Sequence, residues 1–365
     1  MMNVTARGGL PDQGAAAAAP ADLPESATSA ASAATAMTSA PACAPVPHTL
    51  PLPDGAALLE LGRALQSARY RFTTVTPATH SRIKRRCDHV WARDLADIFG
   101  WSRPFHADAL SPDMLALMIR AGIAQPHRDG WRSTLRASTL DGQLYFHSAY
   151  PTSESDAVFF GPDTYRFARA LRSELAAIAA AGRPVRRAAD VGAGAGPGAL
   201  TIAHHHPDAD VLALDINARA MHLCRINAGL ADLRNVTARH SNLLQDVPGE
   251  FDLIISNPPY LLDKSERAYR HGGGELGAGL SLALTTQALG RLAPGGSLLL
   301  YTGVVMMRNE DPFLRRIEPL LAQAGMNWHY EEIDPDVFGE ELDTPAYADA
   351  DRIAAVWLKA SKPLH

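Results

Sequence analysis

Cysteine is scarce in this chain. Cys43, Cys87 and Cys224 are far apart in 365 residues and show no ligand spacing, which excludes a disulfide framework and reads as reduced thiols of a cytosolic protein. No apolar run approaches the roughly 18 residues of a membrane span, so no membrane is expected as a partner. Charge of one sign is not in excess either. With 34 Lys+Arg against 39 Asp+Glu and a net charge of -5, a nucleic-acid footprint over the whole surface is excluded, while a local basic patch is not. His204-His205-His206 is the one histidine run. Three consecutive residues on a helix point in different directions, so no metal site is expected there.

The first 53 residues lack charge as well as aromatic bulk. Arg7, Asp12, Asp22 and Glu25 are the only charges before Asp54 in a segment rich in Ala, Pro, Ser and Thr. Such a segment buries too little apolar surface to offset its ordering entropy, and residues 1–53 are expected to be a disordered tail. They have neither the Arg-rich amphipathic pattern of a transit peptide nor the long apolar core of a secretory signal.

What is present begins at Asp54, which can cap a helix through Leu58, Leu59, Leu61 and Leu65. Thr76-Pro77 and Ser111-Pro112 each pair a cap with a proline suited to a first helical turn, and Gly100 and Gly122 stand where helices should stop. From Trp131 the period drops to two, with Asp141-Gly142 as the turn between residues 131–138 and 143–148. Residues 54–150 therefore read as a small helical, winged-helix-like domain for substrate or partner recognition. Its basic run Ser81-Arg82-Ile83-Lys84-Arg85-Arg86 is either a phosphate contact or a solvated helix face. Shape alone does not choose.

Residues 151–365 alternate strand and helix patterns, the mark of a doubly wound α/β domain. A helix is expected through about Ala181, capped by Asp163 or Thr164. A strand then runs into Asp190-Val191-Gly192-Ala193-Gly194-Ala195-Gly196-Pro197. Its glycines permit a tight turn and a close ligand, and a helix N-terminus follows. The next strand ends in Asp215, the carboxylate position that holds ribose hydroxyls in such folds, and the third ends near Ser241-Asn242-Leu243, where an adenine would lie. Helices are expected at about 281–292 and 312–324. Strands are expected at 297–301, 328–333 and 352–358, the last two as an antiparallel pair.

The fourth strand, residues 251–256, has the continuous apolar character of one buried on both faces. It stops at Asn257-Pro258-Pro259-Tyr260. Two prolines donate no ladder hydrogen bond, so the carbonyls around them are left to accept from something else. The Asn257 side-chain oxygen and the Pro258 carbonyl can each take one N–H of a planar amine or amide, with the Tyr260 ring stacked on its face. A planar nitrogen is a poor nucleophile, because its lone pair is delocalised. Two acceptors and an aromatic lid bend it and aim it at an electrophile.

Asp-x-Gly-x-Gly-x-Gly at residues 190–196, Asp215 and Asn257-Pro258-Pro259-Tyr260 together resemble the class I S-adenosylmethionine-dependent methyltransferases, with a Rossmann-like seven-stranded domain. Phe160-Gly161-Pro162-Asp163-Thr164, residues 273–280 and residues 292–296 are similar to the HemK-like protein-glutamine methyltransferases and their small-domain rRNA relatives. The resemblance covers about residues 155–305. It implies S-adenosyl-L-methionine as cofactor, held by Asp190, Gly192, Gly194 and Gly196 at its methionine part, by Asp215 at its ribose and by Asn242 and Leu243 at its adenine, with Ile216 also in contact. It further implies that Asn257, Pro258 and Tyr260 carry the catalysis, Asn257 also facing the cofactor, and that Phe160, Asp163, Pro259 and Tyr260 bind the acceptor. Where relatives often place an Asp at the adenine, this chain has Asn242.

Residues 334–350 contain six acidic residues and a C-terminal approach with no Lys or Arg. The expected topology puts them on the active-site edge of the sheet, where negative charge repels phosphate. A protein surface or an amine-bearing small molecule is thereby favoured over RNA or DNA as acceptor. A nicotinamide-dependent oxidoreductase shares the glycine loop and acidic strand end but gives no reason for Asn-Pro-Pro-Tyr, and a non-catalytic adaptor gives no reason for an intact pocket. The glycines at 272–274, 277 and 279 serve either a moving lid or a flexible connector.

Overall fold

A computed structural model describes residues 3–6, 50–86, 90–263, 267 and 269–364. Among them Asn3–Ala6 (β1) pairs antiparallel with the strand at 327–334, so this short piece of the expected tail is ordered backbone at a sheet edge. The rest of the tail up to residue 49 lies outside the described residues, as does Cys87.

The N-terminal unit contains α1 (Gly55–Ser67), α2 (Pro77–Lys84) and α3 (Pro112–Arg120). Their caps are the expected ones. Asp54, Thr76 and Ser111 each accept the backbone N–H three residues on, with proline in the first turn of α2 and α3. Gly122 follows α3 with φ 72°, a conformation that other residues reach only at a cost. Where one hairpin is expected there are two: β2 (Ala124–His127) with β3 (Gly130–Ser133), then β4 (Leu135–Leu140) with β5 (Gln143–Ser148). Alternation alone ran Trp131 into the second strand pair. The backbone separates them at Thr134, whose N–H bonds to Ile123. Asp141 and Gly142 turn β4 into β5, both with positive φ, as a two-residue hairpin turn requires.

The remaining elements are α4 (Pro162–Ala180), β6 (Arg187–Val191), α5 (Pro197–His205), β7 (Asp210–Asp215), α6 (Ala218–Leu230), β8 (Val236–His240), β9 (Phe251–Ser256), α7 (Gly279–Leu289), β10 (Leu292–Met306), α8 (Pro312–Gln323), β11 (Asn327–Asp334) and β12 (Arg352–Ser361). The sheet runs β1-β11-β12-β10-β9-β6-β7-β8. Its seven strands β6 to β12 form a Rossmann-like α/β sheet, with β10, β9, β6, β7 and β8 parallel and β12 antiparallel to both neighbours. β9 is buried on both faces, as its composition implies: Leu253 and Ile255 join one core with α4 and α5, while Ile254 joins the other with α7 and α8. β10 extends beyond the expected residues 297–301 at both ends: it begins at Leu292, with a register shift across Pro294-Gly295-Gly296, and continues to Met306 by pairing with β12.

The two units share one core. Leu58, Leu61 and Phe146 of the N-terminal unit pack in the same apolar cluster as Leu230 and Ile226 of α6. One buried amide fastens them: Asn227 Oδ1 accepts from Phe146 N at 2.8 Å, and its Nδ2 donates to Phe146 O at 3.1 Å and to Ala195 O at 2.9 Å.

Candidate active site

Four parallel strands end side by side, and their carboxyl ends supply the site, as is general for open α/β sheets. Val191 at the end of β6 is opposite Ser256 at the end of β9, and the Ser256 hydroxyl donates to Val191 O at 2.6 Å. That bond ties the glycine turn to the Asn-Pro-Pro-Tyr turn. A cleft of about 150 Å³ lies across these ends, lined by Asp190, Gly192, Gly194, Asp215, Ile216, Asn242, Leu243 and Asn257 among others.

Within the glycine turn the three glycines do different things. Gly192 and Gly194 have φ of 73° and 54° with almost no atoms over them, so they present bare backbone to the cleft. Gly196 does not line it. A β-carbon there would come within 2.6 Å of the Cys224 sulfur, so this glycine lets α5 and α6 pack closely, a correction to its expected contact with the cofactor. Asp215 braces the turn, its Oδ2 accepting from Gly194 N at 3.0 Å and its Oδ1 from Asn217 N at 2.9 Å. Burial raises its carboxyl above the usual range, against the pull of those N–H groups. Asp190 is 1 % exposed and accepts from Ala199 N at 2.7 Å. Burial pushes it up to about 7, the Ala199 N–H pulls back, and Asp215 adds to the rise. Beside them Ile216 is 54 % exposed on the cleft wall, an apolar surface with nothing packed on it. Bare glycine backbone, two carboxylates and an open apolar face suit the amino acid, ribose and base of S-adenosylmethionine.

A second, smaller pocket of about 60 Å³ adjoins the first and shares Phe159, Asn257, Pro259 and Tyr269 with it. Pro258, Tyr260, Asp163 and Phe338 also line it. Neither the Asn257 amide nor the Pro258 carbonyl bonds to another described residue, so both acceptors are available at the neck between the pockets. The Tyr260 ring is held edge-on to Phe338, with centroids 5.8 Å apart. Its hydroxyl is buried and makes no hydrogen bond of normal geometry, although the Asp163 carboxylate is close enough to help hold it protonated. Asp163 itself accepts from Tyr301 Oη at 2.8 Å and from Arg166 at 3.2 Å. It is not the helix cap expected, since α4 is capped at Gly161, whose N–H bonds to Thr164 Oγ1 at 3.2 Å.

Phe160 is a correction. Its ring packs among Tyr145, His147 and Tyr165, away from both pockets. The neighbouring Phe159 takes the place expected for it, its ring parallel to Tyr269 within 6° at 5.9 Å. A one-residue slip at the entry to α4 exchanges which phenylalanine faces inward, and composition does not reveal it. Tyr269 is placed by its own hydroxyl, which donates to Thr152 O at 2.9 Å.

The loop glycines serve close approach. A β-carbon on Gly272 would meet Pro259 O at 2.7 Å, and one on Gly277 would meet Tyr260 O at 2.2 Å. Only bare backbone lets the loop lie on the Pro-Pro-Tyr turn. Residues 334–350 cover the other side, as expected from topology, and are folded. Val337, Glu341 and Tyr347 are buried, Arg270 pairs with Glu341, Arg166 Nε meets Asp334 at 2.8 Å, and Leu262 N donates to Tyr347 Oη at 2.7 Å. Asp336, Glu340, Asp343 and Asp349 remain at the surface. Phe338 holds a left-handed conformation, φ 55°, unusual for an aromatic residue. Its signal in the sequence is slight: one of two aromatics, with Tyr347, in an acidic stretch.

The profile of the family described as "Methyltransferase small domain" matches residues 169–309. A release factor glutamine methyltransferase of Deinococcus radiodurans is 32% identical over 55% of this chain and 70% of its own length. A 4-amino-L-phenylalanine/4-methylamino-L-phenylalanine methyltransferase of Streptomyces pristinaespiralis is 32% identical over 42% of the chain and 56% of its length. A ribosomal protein uL3 glutamine methyltransferase of Neisseria gonorrhoeae is 33% identical over 33% of the chain and 44% of its length. The chain thus spans more than two thirds of the first and about half of the others. The glycine turn, Asp215 and the start of the Asn-Pro-Pro-Tyr turn line one cleft, and the chain belongs to the HemK-like group of class I S-adenosylmethionine-dependent methyltransferases.

Proposed function

We propose that the chain methylates the side-chain amide of a glutamine in a protein. The observation that carries this reading is the pair of unengaged acceptors, Asn257 Oδ1 and Pro258 O, at the neck joining the cofactor cleft to the smaller pocket. An amide NH2 offers two donors to two acceptors. The names of the Deinococcus and Neisseria relatives point the same way.

When bound, S-adenosylmethionine supplies a methyl group already activated by its sulfonium. Gly192 and Gly194 receive its methionine part, Asp190 its amino group, Asp215 its ribose, and Ile216, Asn242 and Leu243 its base. Asn257 and Pro258 fix the acceptor nitrogen in line, and Tyr260, Pro259, Phe159 and Asp163 enclose it. Positioning supplies most of the rate. No side chain need act as a strong base, because the nitrogen loses its proton readily after methylation.

Residues 54–150 serve as a winged-helix-like module that selects the partner. A cytoplasmic setting is part of this proposal and rests on the scarcity and wide spacing of the cysteines in the sequence. A second reading, an amine-bearing small molecule, draws on the parallel rings of Phe159 and Tyr269, which suit a flat acceptor.

The test uses cofactor labelled in its methyl group with cell extract. Label should enter the protein fraction and leave it as methylamine on alkaline hydrolysis. Label confined to nucleic acid or to small molecules overturns the glutamine assignment.

A further inference from the structure

Lys84 and Arg132 converge on Tyr150. The Lys84 ammonium stands 5.9 Å from the centre of its ring, and Arg132 Nη2 donates to its backbone oxygen at 2.8 Å. Both side chains are half-buried, and neither makes an ion pair among the described residues. Arg103, which donates to Ile83 O of α2 at 3.3 Å, is matched by Asp97 at 3.2 Å. Burial, and then Arg132, Arg103 and Arg136, pull the Lys84 ammonium down to about 8. A cation at the end of a helix complements its dipole, which accounts for Lys84 on α2 but not for Arg132 on β3.

The imbalance extends to the whole unit. Residues 54–150 hold 13 Lys and Arg against 9 Asp and Glu, while residues 151–365 hold 20 against 27. Opposite signs on two joined units favour a partner whose own charge is unevenly spread.

This cationic surface adjoins the acceptor pocket. Thr152, two residues beyond Tyr150, accepts from Tyr269 Oη at 2.9 Å and from Arg267 Nη1 at 3.1 Å, and Tyr269 lines both the cofactor cleft and the acceptor pocket. On another wall of that pocket the sign reverses. Phe338 lines it, and Asp336 and Glu340, two residues away on either side, are both exposed. An uninterrupted polyanion such as RNA would be drawn to the first wall and repelled by the second, whereas a protein segment can confine its acidic residues to one side.

We propose that the acceptor glutamine is presented by a protein segment whose acidic residues lie on the Lys84 and Arg132 side of that glutamine, with none on the Phe338 side. This deepens the reading of the acceptor as a protein glutamine and rests on it.

The test compares two fluorescent peptides of one composition on the full chain with S-adenosylhomocysteine. One has glutamates before a central glutamine and serines after it; the other has the reverse. Anisotropy should show one isomer bound about five- to tenfold tighter, the effect of two or three exposed ion pairs. The preference should vanish in Lys84→Gln/Arg132→Gln and, in the unsubstituted protein, as salt is raised to about 1 M. Equal binding of the isomers, binding of neither, or a preference that survives in the folded variant overturns the proposal. So does a short oligouridylate that displaces the favoured peptide and loses its own binding in the variant, which would assign these cations to nucleic acid. Should the variant not fold, the salt series decides. Methyl transfer from labelled cofactor separates the two readings: asymmetric binding without transfer removes the glutamine and leaves the charge asymmetry, and transfer to both isomers with equal binding does the reverse.

Discussion

The α-carbon of Gly303 rests against the ring of Tyr260: a methyl group built on Gly303 would stand 2.3 Å from both Cδ2 and Cε2 of that ring. The backbone of β10 therefore sets where the tyrosine lies. Gly303→Ala should push the ring toward the acceptor pocket, costing about 1–3 kcal/mol of stability as overpacking does. Turnover should fall while cofactor affinity, measured by calorimetry, stays within about twofold. A variant with full turnover would remove Tyr260 from the acceptor site.

Asn257→Ala deletes one of the two acceptors at the neck. Turnover should fall at least about a hundredfold, the scale seen when one positioned polar group is taken from a reacting centre. Cofactor affinity should change little. Single-turnover measurement with labelled cofactor checks both, and unchanged turnover would refute the role.

Asp215 accepts from both Gly194 N and Asn217 N and lines the cleft, where it is proposed to meet the ribose. Hydrogen bonds to a charged group contribute about 1.5–3 kcal/mol each, so Asp215→Ala should weaken cofactor binding by about ten- to a hundredfold. An unaltered affinity by calorimetry would take Asp215 out of the site.

Asp190 gives a pH dependence of definite sign. Its folded carboxyl titrates at about 7, above an unfolded value near 3.9. In the folded state the proton is therefore held after the unfolded chain has lost it, and stability falls as pH rises from about 4 to about 7. Asp190→Asn should melt higher than the parent protein at pH 8, with the gap closing near pH 4. A cationic cofactor favours the charged form, so affinity should strengthen as pH rises through 7, with proton release on binding. A flat affinity between pH 6 and 8 would contradict this.

Phe338 closes the acceptor pocket from the acidic segment. Phe338→Ala should raise the KM for the acceptor several-fold and leave cofactor affinity unchanged. Equal loss of both would mean that the segment holds the whole cleft together rather than the acceptor.

The contribution of local sequence to this fold is visible in particular residues. Asp54, Thr76 and Ser111 cap helices because the rule is local, and β9 reads as doubly buried because its apolar run is uninterrupted. Asp190, Asp215 and Asn257 stand at strand ends where periodicity breaks, so the cleft they line could be located. Contacts between distant segments could not. Gly303 against Tyr260, Asp163 beneath Tyr301 and Gly196 against Cys224 depend on how elements meet. The exchange of Phe160 for Phe159 depends on the entry angle of one helix, and the second hairpin on a pairing that alternation does not encode.

Asn227 holds Phe146 on the hairpin and Ala195 beside the glycines with a single carboxamide. Whatever steadies one of these partners steadies the other, without any displacement being needed. A chain loaded with cofactor should therefore exchange its hairpin amide protons more slowly than an empty one, and the hairpin would register whether the cleft behind it is filled.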